Sequence, residues 1–216
     1  MRALAPTCLL LVLLSSAAPS QAGIVDKFSD FINQVFGIFR HYEEAPYTVI
    51  NKGHGYEERE YPASKWVCTP ENTNSDVGQD LGHLFWPLFN FISGTNDRKE
   101  EIPMTTPVTT EFKVRGPSDK SYEMCFFLGA AHQDNPPRPQ PSTGLYIKDR
   151  PEMRVLTRTV GGYLTHEENW VEEAGKLAAI LQENGKTVNL SHMYWVGYDS
   201  PMKFWNRRNE IWFLTN

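Results

Sequence analysis

The chain has 216 residues, of which 40% are hydrophobic, 22% charged and 12% aromatic. That composition excludes a collagen-like fibre, a long disordered chain and a polytopic membrane protein. With 21 Lys and Arg against 26 Asp and Glu the formal charge is −5, so the chain lacks the broad basic field that holds phosphate backbones, and no nucleic-acid partner is expected.

Arg2 is the only charged residue before Asp26. Cys8 to Leu14 is an unbroken apolar run, and Ser15 to Ala22 reads SSAAPSQA. A basic start, an apolar core and a small-residue end make residues 1–22 a secretory signal peptide. Cleavage is expected after Ala22, with Ala18 as the alternative. The run is too short to span a bilayer. Removal of Arg2 and Cys8 leaves 20 basic against 26 acidic residues, and two cysteines, Cys68 and Cys125. The chain ends Phe-Leu-Thr-Asn, which is neither a retention signal nor an apolar anchor tail, so secretion to the extracellular space is expected. Asn189-Leu190-Ser191 is the one Asn-x-Ser/Thr sequon, making Asn189 a candidate glycan acceptor.

Residues 23–41 form an N-terminal extension. Ile24, Phe28, Phe31, Ile32, Val35, Phe36 and Phe39 recur at helical spacing, with Asp26, Lys27, Asp30, Asn33 and Gln34 on the other face. This is an amphipathic helix. Its polar face lacks the Lys/Arg bias of membrane-surface helices, so packing on the domain or a partner is favoured over membrane association.

From residue 42 the chain turns to short strands. Tyr47 to Asn51 and Tyr56 to Tyr61 form a hairpin around Gly53 and Gly55, and Lys65 to Thr69 is a further strand. Asp76 to Phe91 reads as a helix with a kink at Pro87, closed by the turn Gly94-Thr95-Asn96-Asp97. Met104 to Phe112 and Tyr122 to Leu128 are strands, and the proline-dense Asp134 to Pro141 is a loop. Tyr146-Ile147 and Met153 to Val160 are strands. Asn169 to Glu183 is the second helix, closed by Asn184-Gly185. Met193 to Tyr198 and Glu210 to Leu214 complete the chain.

Strands, helix and two strands thus occur twice. The reading is a single α+β domain over residues 42–216 with a pseudo-twofold duplication of a strand-helix-strand-strand unit, whose two sheets bury their apolar faces together. A split βαβ unit sets its last strand beside its first. Cys68 and Cys125 would lie on such a pair, so a disulfide between them is expected in an oxidising compartment.

Several segments resemble the SOUL haem-binding protein family. They are Tyr56-Glu57-Glu58-Arg59-Glu60-Tyr61 with Lys65-Trp66-Val67, Gly94-Thr95-Asn96-Asp97 with Ile102 to Val108, Asn135 to Pro139, and Gly197 to Lys203 with Arg207 to Trp212. They keep their order across roughly residues 43–216. The resemblance implies a distorted β-barrel with two flanking helices. It also implies non-catalytic binding of haem or another tetrapyrrole in a shallow apolar groove beside the first helix.

A haem groove needs an apolar wall, partners for two propionates and, optionally, an axial ligand. Phe85, Trp86, Phe89 and Phe91 are candidates for the wall, with Trp86 and His83 at the groove itself. The positions that match the family's basic pair are Gly82 and Asn90, both uncharged. Lys203 matches its other basic partner. Glu60 stands where some members have a histidine proposed as an iron ligand. His41, His54, His83, His132, His166 and His192 form no metal-ligand spacing, and no metal site is expected. The chain holds no GxSxG, P-loop or GxGxxG. The expectation is a secreted monomer that carries haem or a related tetrapyrrole. The alternatives are an extracellular interaction module that kept the fold and lost haem binding, or a carrier of another apolar small molecule.

Overall fold

The computed structural model describes residues 42–73, 80–116, 118–200, 203 and 205–215. The expected signal peptide, the N-terminal helix and the expected helical residues 76–79 lie outside them.

Among the described residues eleven strands and two α-helices follow in chain order: β1 (Glu43–Glu44), β2 (Thr48–Gly53), β3 (Tyr56–Tyr61), β4 (Ser64–Cys68), α1 (Gly82–Ile92), β5 (Thr105–Thr106), β6 (Val108–Gly116), β7 (Asp119–Phe127), β8 (Tyr146–Arg150), β9 (Met153–Val160), α2 (Glu167–Glu183), β10 (His192–Gly197) and β11 (Asn209–Leu214). Nine of them build one antiparallel sheet in the order β2-β3-β9-β11-β10-β6-β7-β4-β8, and β1 pairs with β5 in parallel. The end strands β2 and β8 do not pair with each other, so the barrel expected from the family is an open one.

The duplication shows in the strand order. In the first half β4 lies beside β7 and β7 beside β6; in the second β9 lies beside β11 and β11 beside β10. The last strand of each unit returns to its first, as a split βαβ unit requires. The halves join where β6 meets β10, from Val108 opposite Gly197 to Lys113 opposite His192.

Alternating side chains divide the sheet into two faces. On one face, Tyr122, Met124 and Phe126 of β7, Phe112 of β6, Trp195 of β10 and Ile211 and Phe213 of β11 meet the helices. The α1 helix buries Leu84, Leu88, Phe91 and Ile92 there, and α2 buries Trp170, Ala174, Leu177 and Leu181. Both sets repeat at helical spacing, and each side chain contributes about 1.5–3 kcal/mol by leaving water. Trp170 stacks on Trp195 with ring centroids 5.8 Å apart. The helix expected to start at Asp76 instead begins at Gly82, whose N–H is taken by the Asp80 carboxylate at 2.8 Å. It continues through Pro87 and ends at Ile92.

The other face is aromatic and charged. Tyr61, Trp66, Tyr194, Tyr198 and Trp212 are buried on it with Cys68 and Cys125. The expected disulfide joins those two cysteines, which sit directly opposite each other in the β4–β7 register with Cα atoms 4.1 Å apart. The sheet is rolled about this face. Trp66 and Tyr194 lie on strands three steps apart, about 14 Å along a flat sheet. Yet the Arg150 guanidinium lies 4.2 Å from one ring centroid and 5.4 Å from the other.

One expected strand is divided. Met104 to Phe112 becomes β5 and β6, separated at Pro107 after a cis peptide bond from Thr106. Proline has no N–H to continue the ladder.

Candidate functional site

The helix α1 presents its outer face as a stripe. His83, Trp86 and Asn90 are all exposed, at spacings of three and four residues that align them along the axis. Trp86 is 50% exposed, an unusual setting for the largest apolar side chain. Beside it, half-buried, are Phe85 and Phe89, stacked with centroids 5.9 Å apart, and Trp86 meets both edge-on at 5.6 and 5.9 Å. Phe85 also rests on Phe126 of the sheet at 5.4 Å, so the cluster has a rigid floor. Phe91, a candidate for the wall, is fully buried and belongs to the core.

The sequence-derived candidates divide as follows. His83, Trp86 and Asn90 share the stripe. Lys203 lies in the loop after β10, at the end of the sheet where Gly197 pairs with Val108 and Val108 with Phe126. That is the end on which Phe85 packs. The Lys203 ammonium is ion-paired with Asp199 at 2.6 Å, so its charge is largely met within its own loop. Asn189 is exposed beyond α2, where its carboxamide oxygen accepts the Ser191 N–H. Glu60, at the family's histidine position, is paired with Arg154 at 2.7 Å.

The face opposite the helices holds a charged network that sequence reasoning missed. Glu210 is fully buried and accepts from Arg59, the Tyr198 hydroxyl, the Trp212 indole and Arg208. Glu111 accepts from His192 at 2.6 Å and from the Tyr194 hydroxyl at 3.0 Å, and is ion-paired with Lys113 and Lys148. Glu123 bonds to Lys148 and Tyr146. Burial pushes the Glu111 carboxyl up, but the His192 bond and the Lys148 and Lys113 charges overcome it and hold it well below its ordinary value. Burial also raises the Tyr194 hydroxyl, with Glu111 adding to the shift and Arg150 opposing it. The signal for this network was a charged residue two positions from another charge or an aromatic on successive strands, as in Glu57-Glu58-Arg59-Glu60-Tyr61, Glu111-Phe112-Lys113 and Lys148-Asp149-Arg150.

Cys68, Cys125 and Glu123 bring three metal-ligand atoms within 4.8 Å, but both sulfurs are spent in the disulfide. Among the described residues no helix is long and apolar enough to cross a membrane.

The α1 stripe thus offers a flat ligand an apolar seat, one imidazole and one carboxamide. The charged network faces the other way, and its carboxylates Glu111, Glu123 and Glu210 are met by internal bonds. Known proteins resemble this chain in both sequence and fold. A family model described as "SOUL heme-binding protein" matches residues 42–214. "Heme-binding protein 2" of Homo sapiens is 36% identical over 162 residues, covering 74% of this chain and 77% of that protein. "Heme-binding protein 1" of Mus musculus is 30% identical over 188 residues, covering 84% and 96%. Among solved structures, a "hydrolase from Listeria innocua" superposes with a TM-score of 0.51 at 8% identity, covering 77% of this chain and 94% of that one. The EcmrR C-terminal domain does so at 0.50 and 13%, covering 79% and 98%. At those identities the likeness is one of fold alone. Matched across nearly all of its described residues, the chain belongs to the SOUL heme-binding protein family.

Proposed function

We propose that this protein binds haem or a closely related tetrapyrrole, reversibly, over the outer face of α1. It does so as a secreted, monomeric, non-catalytic carrier. The observation that carries the reading is the exposed Trp86 ring, seated beside the stacked Phe85 and Phe89 on the helix where the family resemblance locates the groove. The donor set suits the macrocycle: aromatic edges beneath the ring plane, the Asn90 carboxamide at the rim and Lys203 at the neighbouring end of the sheet. Haem would supply the iron and the two propionates. The chain's part is to hold the macrocycle by apolar contact and to leave its far face open, which gives a shallow site and ready release. The names of the relatives support this reading, and the expected signal peptide supports secretion.

A second reading rests on the propionate partners. Gly82 and Asn90 carry no charge, and Lys203 is engaged by Asp199. An extracellular interaction module on the same fold, or a carrier of a different apolar molecule, would show that pattern. Titration of residues 23–216 with haemin, followed at the Soret band, separates the readings. Saturation at micromolar protein supports haem binding, and no saturable change overturns it. Mass spectrometry of small molecules extracted from native secreted protein then identifies the carried compound.

A further inference from the structure

We propose that His83 is the axial iron ligand of haem bound over α1, with Asp80 as the acceptor for the second N–H of its imidazole. The inference rests on the tetrapyrrole reading above and adds to it how the metal is held.

The placement of the histidines carries the argument. His132 is buried and bonded to Glu100 at 3.0 Å. His192 is bonded to Glu111 on the face away from the helices. His54 sits in the β2–β3 turn and His166 at the start of α2. His83 alone among the described histidines lies on α1, and three-quarters of its side chain is open to solvent (72% exposed). Among the described residues the sulfur ligands are withdrawn: Cys68 and Cys125 are in the disulfide, and Met104, Met124, Met153 and Met193 pack against the two cores.

The geometry of the stripe suits the role. His83 and Trp86 are one turn apart on the same face, with Cβ atoms about 5–6 Å apart. A flat macrocycle laid along the stripe therefore has its centre over one of them and its rim over the other. Trp86 meets Phe85 and Phe89 and provides a rim contact, so the centre falls to the imidazole. A ligating histidine commonly donates its remaining ring N–H to a carboxylate, which fixes the ring and raises its basicity. The Asp80 carboxylate stands 3.9 Å from the His83 ring nitrogen. It is itself anchored, because its other oxygen accepts the Gly82 N–H at 2.8 Å. A small rotation of the ring turns one nitrogen to Asp80 and leaves the other for iron. Ligation replaces a water on ferric haem by a ring nitrogen lone pair, with no change of oxidation state.

The test uses residues 23–216 and two probes, haemin and metal-free protoporphyrin IX. The wild type should bind haemin about tenfold or more tightly than protoporphyrin, with the Soret and electron paramagnetic resonance signature of nitrogen-ligated iron. His83→Ala should remove the preference and the signature while lowering protoporphyrin affinity far less than haemin affinity, and added imidazole should restore the spectrum. Because His83 is at the surface, far-ultraviolet circular dichroism should not change. An unchanged haemin spectrum and preference in His83→Ala overturns the inference while leaving the tetrapyrrole reading intact. Failure of both probes to bind the wild type overturns both.

Discussion

Arg59 and Glu210 lie 151 residues apart in sequence and meet inside the rolled sheet, where one guanidinium nitrogen is 3.1 and 3.0 Å from the two carboxylate oxygens. Glu210 is fully buried and Arg59 nearly so. A buried pair of this kind is costly to break from one side. Arg208, Tyr198 and Trp212 still hold Glu210 after the change, so Arg59→Met should destabilise the fold by about 3 kcal/mol, the low end for a broken buried pair. Arg150 is the contrasting case: it too is buried, but its Nε and Nη1 find no acceptor among the described residues, and burial lowers its affinity for its proton. It is held by one bond to Thr109 and by the Trp66 and Tyr194 rings. Arg150→Met should cost less than half as much as Arg59→Met. Urea denaturation of the two variants checks the order, and equal losses would contradict it.

The Glu111 network gives the fold an acid limit. Its carboxyl is held below its ordinary value of 4.5 in the folded state, so the folded protein binds that proton less readily than the unfolded chain. The stability this contributes is fully present above about pH 4.5 and is lost as pH falls below it toward the folded-state value. Glu111→Gln should flatten the acid limb of a plot of stability against pH and lower stability at neutrality. An acid limb unchanged by the substitution would show that other carboxylates set it.

The Cys68–Cys125 bond closes a loop with a sequence separation of 57. Chain-entropy arguments put its contribution at about 4 kcal/mol through the unfolded state. Cys68→Ala with Cys125→Ala should lower the thermal midpoint markedly and leave the α1 stripe untouched, since the bond lies on the opposite face from the helices. Calorimetry gives the first result. Haemin titration of the folded variant at low temperature gives the second.

What the sequence revealed and what it hid have separate physical causes. The helices and most strands were legible because their apolar residues repeat at fixed periods: Trp170, Ala174, Leu177 and Leu181 are sufficient to mark α2. The neighbouring of Cys68 and Cys125 was legible because strand-helix-strand-strand order constrains which strands touch. His83 and Trp86 were legible as neighbours at the margin of one helix face, whereas Asn90 was marked only by its match to the family's basic pair. Glu111, Glu123 and Glu210 were not legible, since each looks like an ordinary solvated residue until the strand order places it in a rolled interior. The break at Pro107 was hidden by the β-branched residues around it, which favour a strand on either side.

Asn90 offers the sharpest test of how the site meets a propionate. It occupies the exposed stripe one turn beyond Trp86 and carries no charge, and the chain as a whole is acidic, so an anionic ligand is met by few local cations. Asn90→Lys adds a cation one turn beyond the Trp86 rim contact, where a propionate extending from the macrocycle's rim would fall. An exposed ion pair contributes about 0.2–1 kcal/mol, so haemin affinity should rise by up to about fivefold and the gain should shrink at high salt. Haemin dimethyl ester, which has no propionate charge, should not respond. Trp86→Ala, by contrast, should weaken haemin and its ester alike with little change in thermal midpoint, because the ring is half-exposed and lies outside the core. If Asn90→Lys strengthens the ester as much as the acid, the rim of the ligand does not lie over Asn90. The macrocycle must then extend from Trp86 in another direction.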